Sequence, residues 1–126
     1  VTGLTSMVTI EGGDGNDTLT GTSSSVRFLG GNGDDRMISG DAVDFFDGGS
    51  GNNTVDYSRA SADITVTLSL TAGEAGTASD GDQLTSVQNV IGSDHADSIT
   101  ADNSANRVDG EAGTSIFKKS VSLCCS

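Results

Sequence analysis

The chain has 126 residues, of which only 4% are aromatic, and it contains no tryptophan and no proline, which argues against a large globular core. Its 18 acidic residues outnumber 6 lysines and arginines, so the formal net charge is −12. This charge argues against nucleic acid or an anionic membrane as the main partner and favours cations. No hydrophobic run approaches the ~20 residues that a membrane span needs.

The first residues show neither the basic start nor the cleavage pattern of a signal peptide. The chain begins at Val1 without an initiator methionine, and we interpret it as a fragment of a larger protein. Low hydrophobicity with high net charge is typical of a chain that stays disordered unless a ligand offsets its self-repulsion.

Three stretches in the first half follow one nine-residue pattern, G-G-x-G-x-D-x-U-x, in which U is a large apolar residue. They are GGDGNDTLT at 12–20, GGNGDDRMI at 30–38 and GGSGNNTVD at 48–56, where Asn53 replaces the aspartate. The apolar eighth position also persists in the degenerate nonapeptides between them, and recurs at Ile10, Leu19, Phe28, Met37, Phe46 and Val55. A three-residue strand alternates out, in and out, so these side chains are predicted to point into a thin core.

This pattern resembles the RTX, or haemolysin-type calcium-binding, repeat family, strongly over 10–56 and more weakly over 83–117. The resemblance implies an all-β fold, a right-handed parallel β-roll (a β-solenoid). In such a roll each nonapeptide forms a six-residue turn and a three-residue strand, and two nonapeptides make one turn of the roll. It also implies calcium ions between turns that are stacked on one another.

Calcium accounts for the combination of glycine and acid in these loops. It is a hard cation that takes six to eight oxygens from carboxylates and backbone carbonyls. Glycines let carbonyls point at the ion, while the sixth-position carboxylate binds from the side. The candidate metal-binding residues all lie in the three full loops and are Gly12, Asp14, Asp17, Gly30, Gly31, Asn32, Gly33, Asp35, Gly49, Gly51 and Asn53.

The three full loops begin 18 residues apart, and we therefore predict that they stack along one edge of the roll. We call it the glycine-rich edge, formed by loops 12–17, 30–35 and 48–53. One ion is expected between the first and second loops, and another between the second and third. Asp35, in the middle loop, should then face both ions with one oxygen toward each. The substitution Asn53→Asp should tighten the second of these sites.

The opposite edge is formed by the degenerate turns that begin at residues 3, 21 and 39. It offers only Asp41 and Asp44 near the expected positions. We predict that this edge binds no metal, and that Asp44→Ala changes little.

The nine-residue register is lost after Asp56. Ile64, Val66, Leu68 and Leu70 alternate with polar residues, which predicts a half-buried strand followed by a polar loop. Apolar positions return nine residues apart, shifted by one, at Val90, Ile99, Val108 and Phe117. The predicted units are calcium-binding repeats over 1–56, an insertion over 57–82, degenerate repeats over 83–117, and over 118–126 a tail that is disordered or was added in cloning.

The sixth positions of the second block are mostly uncharged. They are Gln88, Asp97, Asn106 and Ser115. Only the turn 92–97 keeps a carboxylate there, so calcium binding at this turn stays open and hydrogen bonding is the favoured interpretation.

The remaining polar and reactive residues have simple interpretations. His95 is expected to be an exposed turn residue, and the ring of Tyr57 is expected to cap the open end of the first block. Acidic residues outside the loops, including Glu74, Asp80 and Asp82, are interpreted as a solvated face. The adjacent Cys124 and Cys125 fit neither a disulfide framework nor a zinc site.

The favoured function is a structural module that folds on binding Ca²⁺ after secretion and stabilises a larger extracellular protein. The resemblance implies bacterial type I secretion. Two alternatives remain: a non-catalytic C-terminal part of a secreted enzyme, such as a serralysin-type protease, a lipase or an alginate epimerase, or an adhesin segment that binds glycans or protein partners. The chain contains neither H-E-x-x-H nor G-x-S-x-G, so we expect no catalytic activity of its own.

Overall fold

The computed structural model describes residues 7–68, 76–101, 108–109 and 116–119. Within these ranges all regular secondary structure is β. The described residues contain no helix of the length and apolar character that a membrane crossing needs. The strands are β1 (Val8–Asp14), β2 (Thr18–Thr20), β3 (Val26–Asn32), β4 (Arg36–Ile38), β5 (Phe45–Asp47), β6 (Thr54–Asp56), β7 (Thr65–Thr67), β8 (Gly76–Ala78), β9 (Gln83–Thr85), β10 (Asn89–Ile91), β11 (Ser98–Ala101), β12 (Val108–Asp109) and β13 (Ile116–Lys119).

The strands form two sheets. One has the order β1-β3-β5-β9-β8-β7-β11-β13, and the other has the order β12-β10-β6-β4-β2. In the first block successive strands alternate between the sheets, and the strands β1 to β4 each pair in parallel with the strand two places later. Leu19 therefore lies beside Met37, and Met37 beside Val55. The stacking at intervals of 18 residues, predicted from the repeat, is confirmed.

Apolar side chains from both sheets meet in one core. The eighth-position residues from Leu19 to Val55 are buried, and Ile10 packs against them, as the nine-residue spacing predicts. Val90 and Ile99 continue the same core in the second block. A single inward side chain per short strand is thus enough to connect the two sheets.

Aromatic rings run through the middle of this core. The rings of Phe28 and Phe46 stack with centroids 4.7 Å apart, and Tyr57 meets Phe46 edge-on at 6.4 Å. Tyr57 is only 1% exposed. The expectation that its ring caps an open end is wrong, because the ring is buried in the core and its hydroxyl donates to Asp82 of the insertion.

The insertion contributes β7 and β8 to one sheet only, where they lie next to β9. β7 and β8 are antiparallel, as are β8 and β9, and together they separate β5 from β11. In the other sheet β6 and β10 pair directly. The predicted alternating strand is present as β7, with Ile64, Val66 and Leu68 buried and its threonines exposed. The segment predicted to be a polar loop contains a further strand, β8.

Two other expectations differ from the structure. β1 and β3 are seven residues long instead of three, because their pairing continues into the glycine-rich loops. Lys118 and Lys119, assigned above to the tail, lie in β13 and pair with β11. Several residues named above lie outside the described ranges, namely Leu70, Glu74, Asn106, Ser115, Cys124 and Cys125.

Candidate metal centre

The sixth-position side chains connect the stacked loops of the glycine-rich edge. The backbone N–H of Asp17 donates to Oδ1 of Asp35 at 2.9 Å, and the N–H of Asp35 donates to Oδ1 of Asn53 at 3.0 Å. The series continues into the second block, where the N–H of Asn53 donates to Oε1 of Gln88 at 2.7 Å. Each sixth-position side chain therefore holds the loop that precedes it in the stack.

A second series of hydrogen bonds runs along the exposed rim of the same loops. The Asp34 N–H donates to Oδ1 of Asn16, and the Asn52 N–H donates to Oδ1 of Asp34, both at 2.8 Å. Asn32 Nδ2 donates to Oδ1 of Asp14 at 2.9 Å. The side chains of Asp14 and Asn32, two predicted ligands, thus bind each other on the exposed side of the loops.

The middle loop requires glycine where it touches the loop before it. Gly31 and Gly33 have φ angles of 102° and 122°, a region that L side chains rarely adopt. A Cβ at either position would collide with the carbonyl oxygen of Gly13 or Gly15. Gly49 and Gly51 stand in the same relation to the middle loop, so the backbones of all three loops are in close contact.

Two carboxylate oxygens inside this stack have no protein partner. Oδ2 of Asp17 and Oδ2 of Asp35 are both buried, and neither accepts a hydrogen bond. Asp35 as a whole is 2% exposed. A buried carboxylate oxygen is costly unless a donor or a cation compensates it, so these two atoms point to a positively charged ligand.

Each of these oxygens lies next to a glycine and to a carbonyl of the following loop. A Cβ placed on Gly12 would lie 2.6 Å from Asp17 Oδ2 and 2.7 Å from the Gly30 carbonyl oxygen; we call the space beside these two oxygens the first position. A Cβ on Gly30 would meet Asp35 Oδ2, and would lie 2.7 Å from the Gly48 carbonyl oxygen; the space beside these two oxygens is the second position. Glycine leaves the space for oxygens to converge.

The donor set suits calcium. Within the described ranges, no three His, Cys, Asp or Glu side chains come together, and each position combines one carboxylate oxygen with one backbone carbonyl oxygen. Zinc prefers nitrogen and sulfur in compact tetrahedral sites, whereas calcium accepts many oxygens, carbonyls among them, in flexible geometry. The residues present therefore fit the cation that the sequence predicts.

The structure distinguishes the two oxygens of Asp35, which the sequence predicts to face one ion each. Its Oδ1 accepts the N–H of Asp17, whereas Oδ2 accepts no hydrogen bond and lies at the second position; the double role stays a prediction. The sequence shows that a carboxylate is present but does not show how the backbone of the neighbouring loop engages one of its oxygens. From this difference between the two oxygens we propose that Asp35 serves one ion directly.

The opposite edge has a similar series of backbone-to-carboxylate hydrogen bonds, but here both oxygens of each carboxylate in the series accept hydrogen bonds. Asp44 accepts N–H groups from Val26 at 2.9 Å and Gly40 at 3.1 Å, one on each oxygen. Asp82 accepts the N–H of Asp44 at 2.6 Å on one oxygen, and the hydroxyls of Tyr57 at 3.0 Å and Ser39 at 3.2 Å on the other. Protein donors thus take the role here that the sequence predicts for a cation at the glycine-rich edge.

One prediction about this edge is wrong. Asp82 is not on a solvated face: it is 0% exposed and lies between Asp44 and Tyr57. Asp44 is equally buried, so we expect its replacement to lower stability, while its small effect on calcium binding stays a prediction. The sequence does carry a signal for both residues, because each stands two places before an inward apolar residue, Phe46 or Leu84, which is the D-x-U spacing of the repeat.

Burial makes Asp82 titrate near neutrality. Its desolvation, together with the charges of Asp80 and Asp44, raises its pKa to about 7, although hydrogen bonds from the Asp44 backbone and the Tyr57 hydroxyl act in the other direction. Burial likewise raises the pKa of Asp44. Burial and the same carboxylates raise the pKa of Tyr57 well above its usual range.

This pKa predicts a pH dependence of stability. The folded pKa of Asp82 lies above its unfolded value, so the protonated form stabilises the fold and this contribution is lost as pH rises through about 7. Lowering the pH from about 8 to about 5.5 in saturating calcium should therefore raise the free energy of unfolding by about 2 kcal/mol. Asp82→Asn should remove most of this dependence, as urea unfolding at both pH values can measure. An unchanged slope in the variant would show that another group is responsible.

The second block is held by hydrogen bonds at its acidic turn. Oδ1 of Asp97, a buried residue, accepts the N–H of Ile64 at 2.9 Å and the hydroxyl of Ser93 at 2.7 Å. These bonds engage Oδ1, and the hydrogen-bonded interpretation of the turn 92–97 stays a prediction. The side chain of His95 is 40% exposed, with Nε2 3.6 Å from Oδ1 of Asp94.

Comparison with known protein families identifies the class. The RTX calcium-binding nonapeptide repeat, haemolysin type, matches residues 9–25, 27–55 and 89–116 in four copies, which together cover more than half of the chain. The chain belongs to this family, whose repeats bind Ca²⁺ and are not catalytic. A comparison with curated proteins gives no significant match.

Proposed function

We propose that this chain is a calcium-dependent structural module, a right-handed parallel β-roll that folds around its ions outside the cell and stabilises a larger secreted protein. The observation that carries the proposal is the pair of buried, unpartnered oxygens, Asp17 Oδ2 and Asp35 Oδ2, each beside a carbonyl of the next loop. RTX repeats are typical of secreted proteins, and extracellular fluids hold calcium at concentrations that weak sites can use.

The proposed ligands are the carboxylates of Asp17 and Asp35 and the carbonyls of the glycine-rich loops. An ion between loops 12–17 and 30–35, and another between loops 30–35 and 48–53, would compensate both buried charges. The opposite edge binds none in this proposal, since hydrogen bonds engage the oxygens of Asp44 and Asp82. Binding free energy then becomes folding free energy, because the loops come together only in the folded chain.

We propose the same four units that the sequence predicts, each with its own role. The repeats over 1–56 carry the ions, the insertion over 57–82 widens one sheet, and the degenerate repeats over 83–117 continue the core without metal. The direct pairing of β6 with β10 supports this organisation. The last residues, over 118–126, have no proposed role.

Asp35→Asn tests the proposal at a single atom. Asparagine keeps an oxygen to accept the Asp17 N–H but places an NH₂ group where Oδ2 faces the second position. We expect at least a tenfold loss of calcium affinity at that position, equal to about 1.4 kcal/mol or more, measured by isothermal titration calorimetry.

The matched control is Asp34→Asn. It removes the same charge one residue away, at an exposed side chain whose Oδ1 accepts the Asn52 N–H. We expect less than about a threefold change in affinity, because exposed charges are screened by solvent and salt. Equal losses in the two variants would mean that calcium responds to net charge and not to the second position.

A further inference from the structure

The stack offers a third position, and its chemistry differs from the first two. Asp47 pairs with Thr85 and Thr54 pairs with Asn89, so the loop 48–53 lies beside the shorter turn 86–88. A Cβ on Gly48 would meet the carbonyl oxygen of Ser86, just as one on Gly12 or Gly30 meets the carbonyl of the following loop. The third position is thus the geometric continuation of the series.

Asn53 is oriented as Asp17 and Asp35 are, but it presents a donor. Its Oδ1 accepts the N–H of Asp35, and its Nδ2 therefore takes the place of the unpartnered Oδ2. A Cβ on Gly48 would lie 2.5 Å from this nitrogen. Nδ2 donates to the carbonyl oxygens of Ser86 at 3.2 Å and Ser50 at 3.4 Å, and Asn53 is 0% exposed.

The turn opposite Asn53 also lacks the glycines of the full loops. Three residues, 86–88, stand where a full loop has six, and none of them is glycine. Ser86 adopts a φ of 55°, the only positive value among the described residues other than glycine. Ser86 thus adopts the left-handed region that usually favours glycine, and its carbonyl oxygen accepts the Asn53 amide.

We infer that Asn53 fills the third position with its own amide group and ends the series of calcium ions at two. This inference rests on the proposed function. The N–H donor supplies to the carbonyls of Ser50 and Ser86 the partial positive charge that a cation supplies at the first two positions. It also corrects the expectation that Asn53→Asp tightens the second site, because the atom that changes faces the third position.

The test is the number of calcium ions bound by Asn53→Asp, compared with the wild-type chain and with Asn52→Asp. Asn52 is exposed, and its Oδ1 accepts a hydrogen bond from Asn89 Nδ2, so the control adds the same charge without removing a needed donor. Equilibrium dialysis at millimolar calcium, with the metal counted by elemental analysis, should give two ions for the wild type and the control. It should give three for Asn53→Asp.

A second measurement follows from the same geometry. At the calcium concentration that half-saturates the wild type, Asn53→Asp should melt at a lower temperature than Asn52→Asp, because its new carboxylate faces two carbonyls. The difference should shrink as calcium is raised tenfold and the third ion binds.

Two ions in both variants, with or without tighter binding in Asn53→Asp, would overturn the inference and leave the proposed function intact. A wild-type chain that binds no calcium would overturn both.

Discussion

Removal of calcium with a chelator is expected to unfold most of the chain at neutral pH. Without a cation, the folded stack buries the charged oxygens of Asp17 and Asp35 without partners, in a protein whose net charge is already −12. Each uncompensated buried charge costs several kcal/mol, while a small domain has only about 5 to 10 kcal/mol of net stability. Far-UV circular dichroism should therefore show a largely disordered chain in chelator.

Calcium should restore the β signal cooperatively, at concentrations of about 10⁻⁴ to 10⁻³ M, the range of extracellular modules. Magnesium is the matched control, since it has the same charge but demands compact octahedral geometry and gives up its waters reluctantly. A chain that folds equally well in magnesium would respond to charge screening and not to coordination. A β-rich spectrum in excess chelator, unchanged by calcium, would contradict the coupling of folding to binding.

Asp44→Ala is expected to destabilise the fold by about 2 to 4 kcal/mol without changing the number of bound calcium ions. The substitution leaves the N–H groups of Val26 and Gly40 without their acceptor, and a buried donor that loses its partner costs about 1 to 3 kcal/mol. Denaturant unfolding in saturating calcium measures the loss, and equilibrium dialysis counts the ions.

The neighbouring Asp41→Ala is the control for this prediction. Asp41 is exposed in the same turn, and its removal should change stability by less than about 0.5 kcal/mol. If Asp44→Ala instead lowered the number of bound calcium ions, the opposite edge would be a metal site. The proposal that calcium binds only at the glycine-rich edge would then be wrong.

Much of the fold follows from one number, the repeat length of nine. A loop and a strand of constant length place an inward residue at the eighth position of each nine-residue repeat. Phe28, Met37 and Phe46 could therefore be assigned to the core from spacing alone. The doubled interval of 18 likewise predicted which loops stack. These features depend on periodicity, which survives even where individual repeats have lost their glycines.

The insertion could be predicted only in part, because it has no period. The alternation around Val66 revealed one strand, but the antiparallel pairing of β8 with its neighbours depends on contacts between segments that share no pattern. Asp82 was missed for that reason: it lies outside the repeat register, although it keeps the spacing of Asp44 to its inward neighbour. A search for D-x-U outside the register would have found it.

The details of the site also exceed what the sequence contains. A carboxylate has two oxygens, and only the structure shows that the Asp17 backbone engages one oxygen of Asp35. The loss of a charge at Asn53 was visible as a departure from the repeat. That its amide turns toward Ser50 and Ser86, and not toward the preceding loop, is decided by the short turn 86–88.

The location of the ions themselves is the most direct test of the central claim. Anomalous X-ray scattering from crystals grown with calcium should show two peaks at the glycine-rich edge. One should lie next to Asp17 Oδ2 and the Gly30 carbonyl, and the other next to Asp35 Oδ2 and the Gly48 carbonyl. A peak beside Asp44 on the opposite edge, or no peak at either Asp17 or Asp35, would contradict the account.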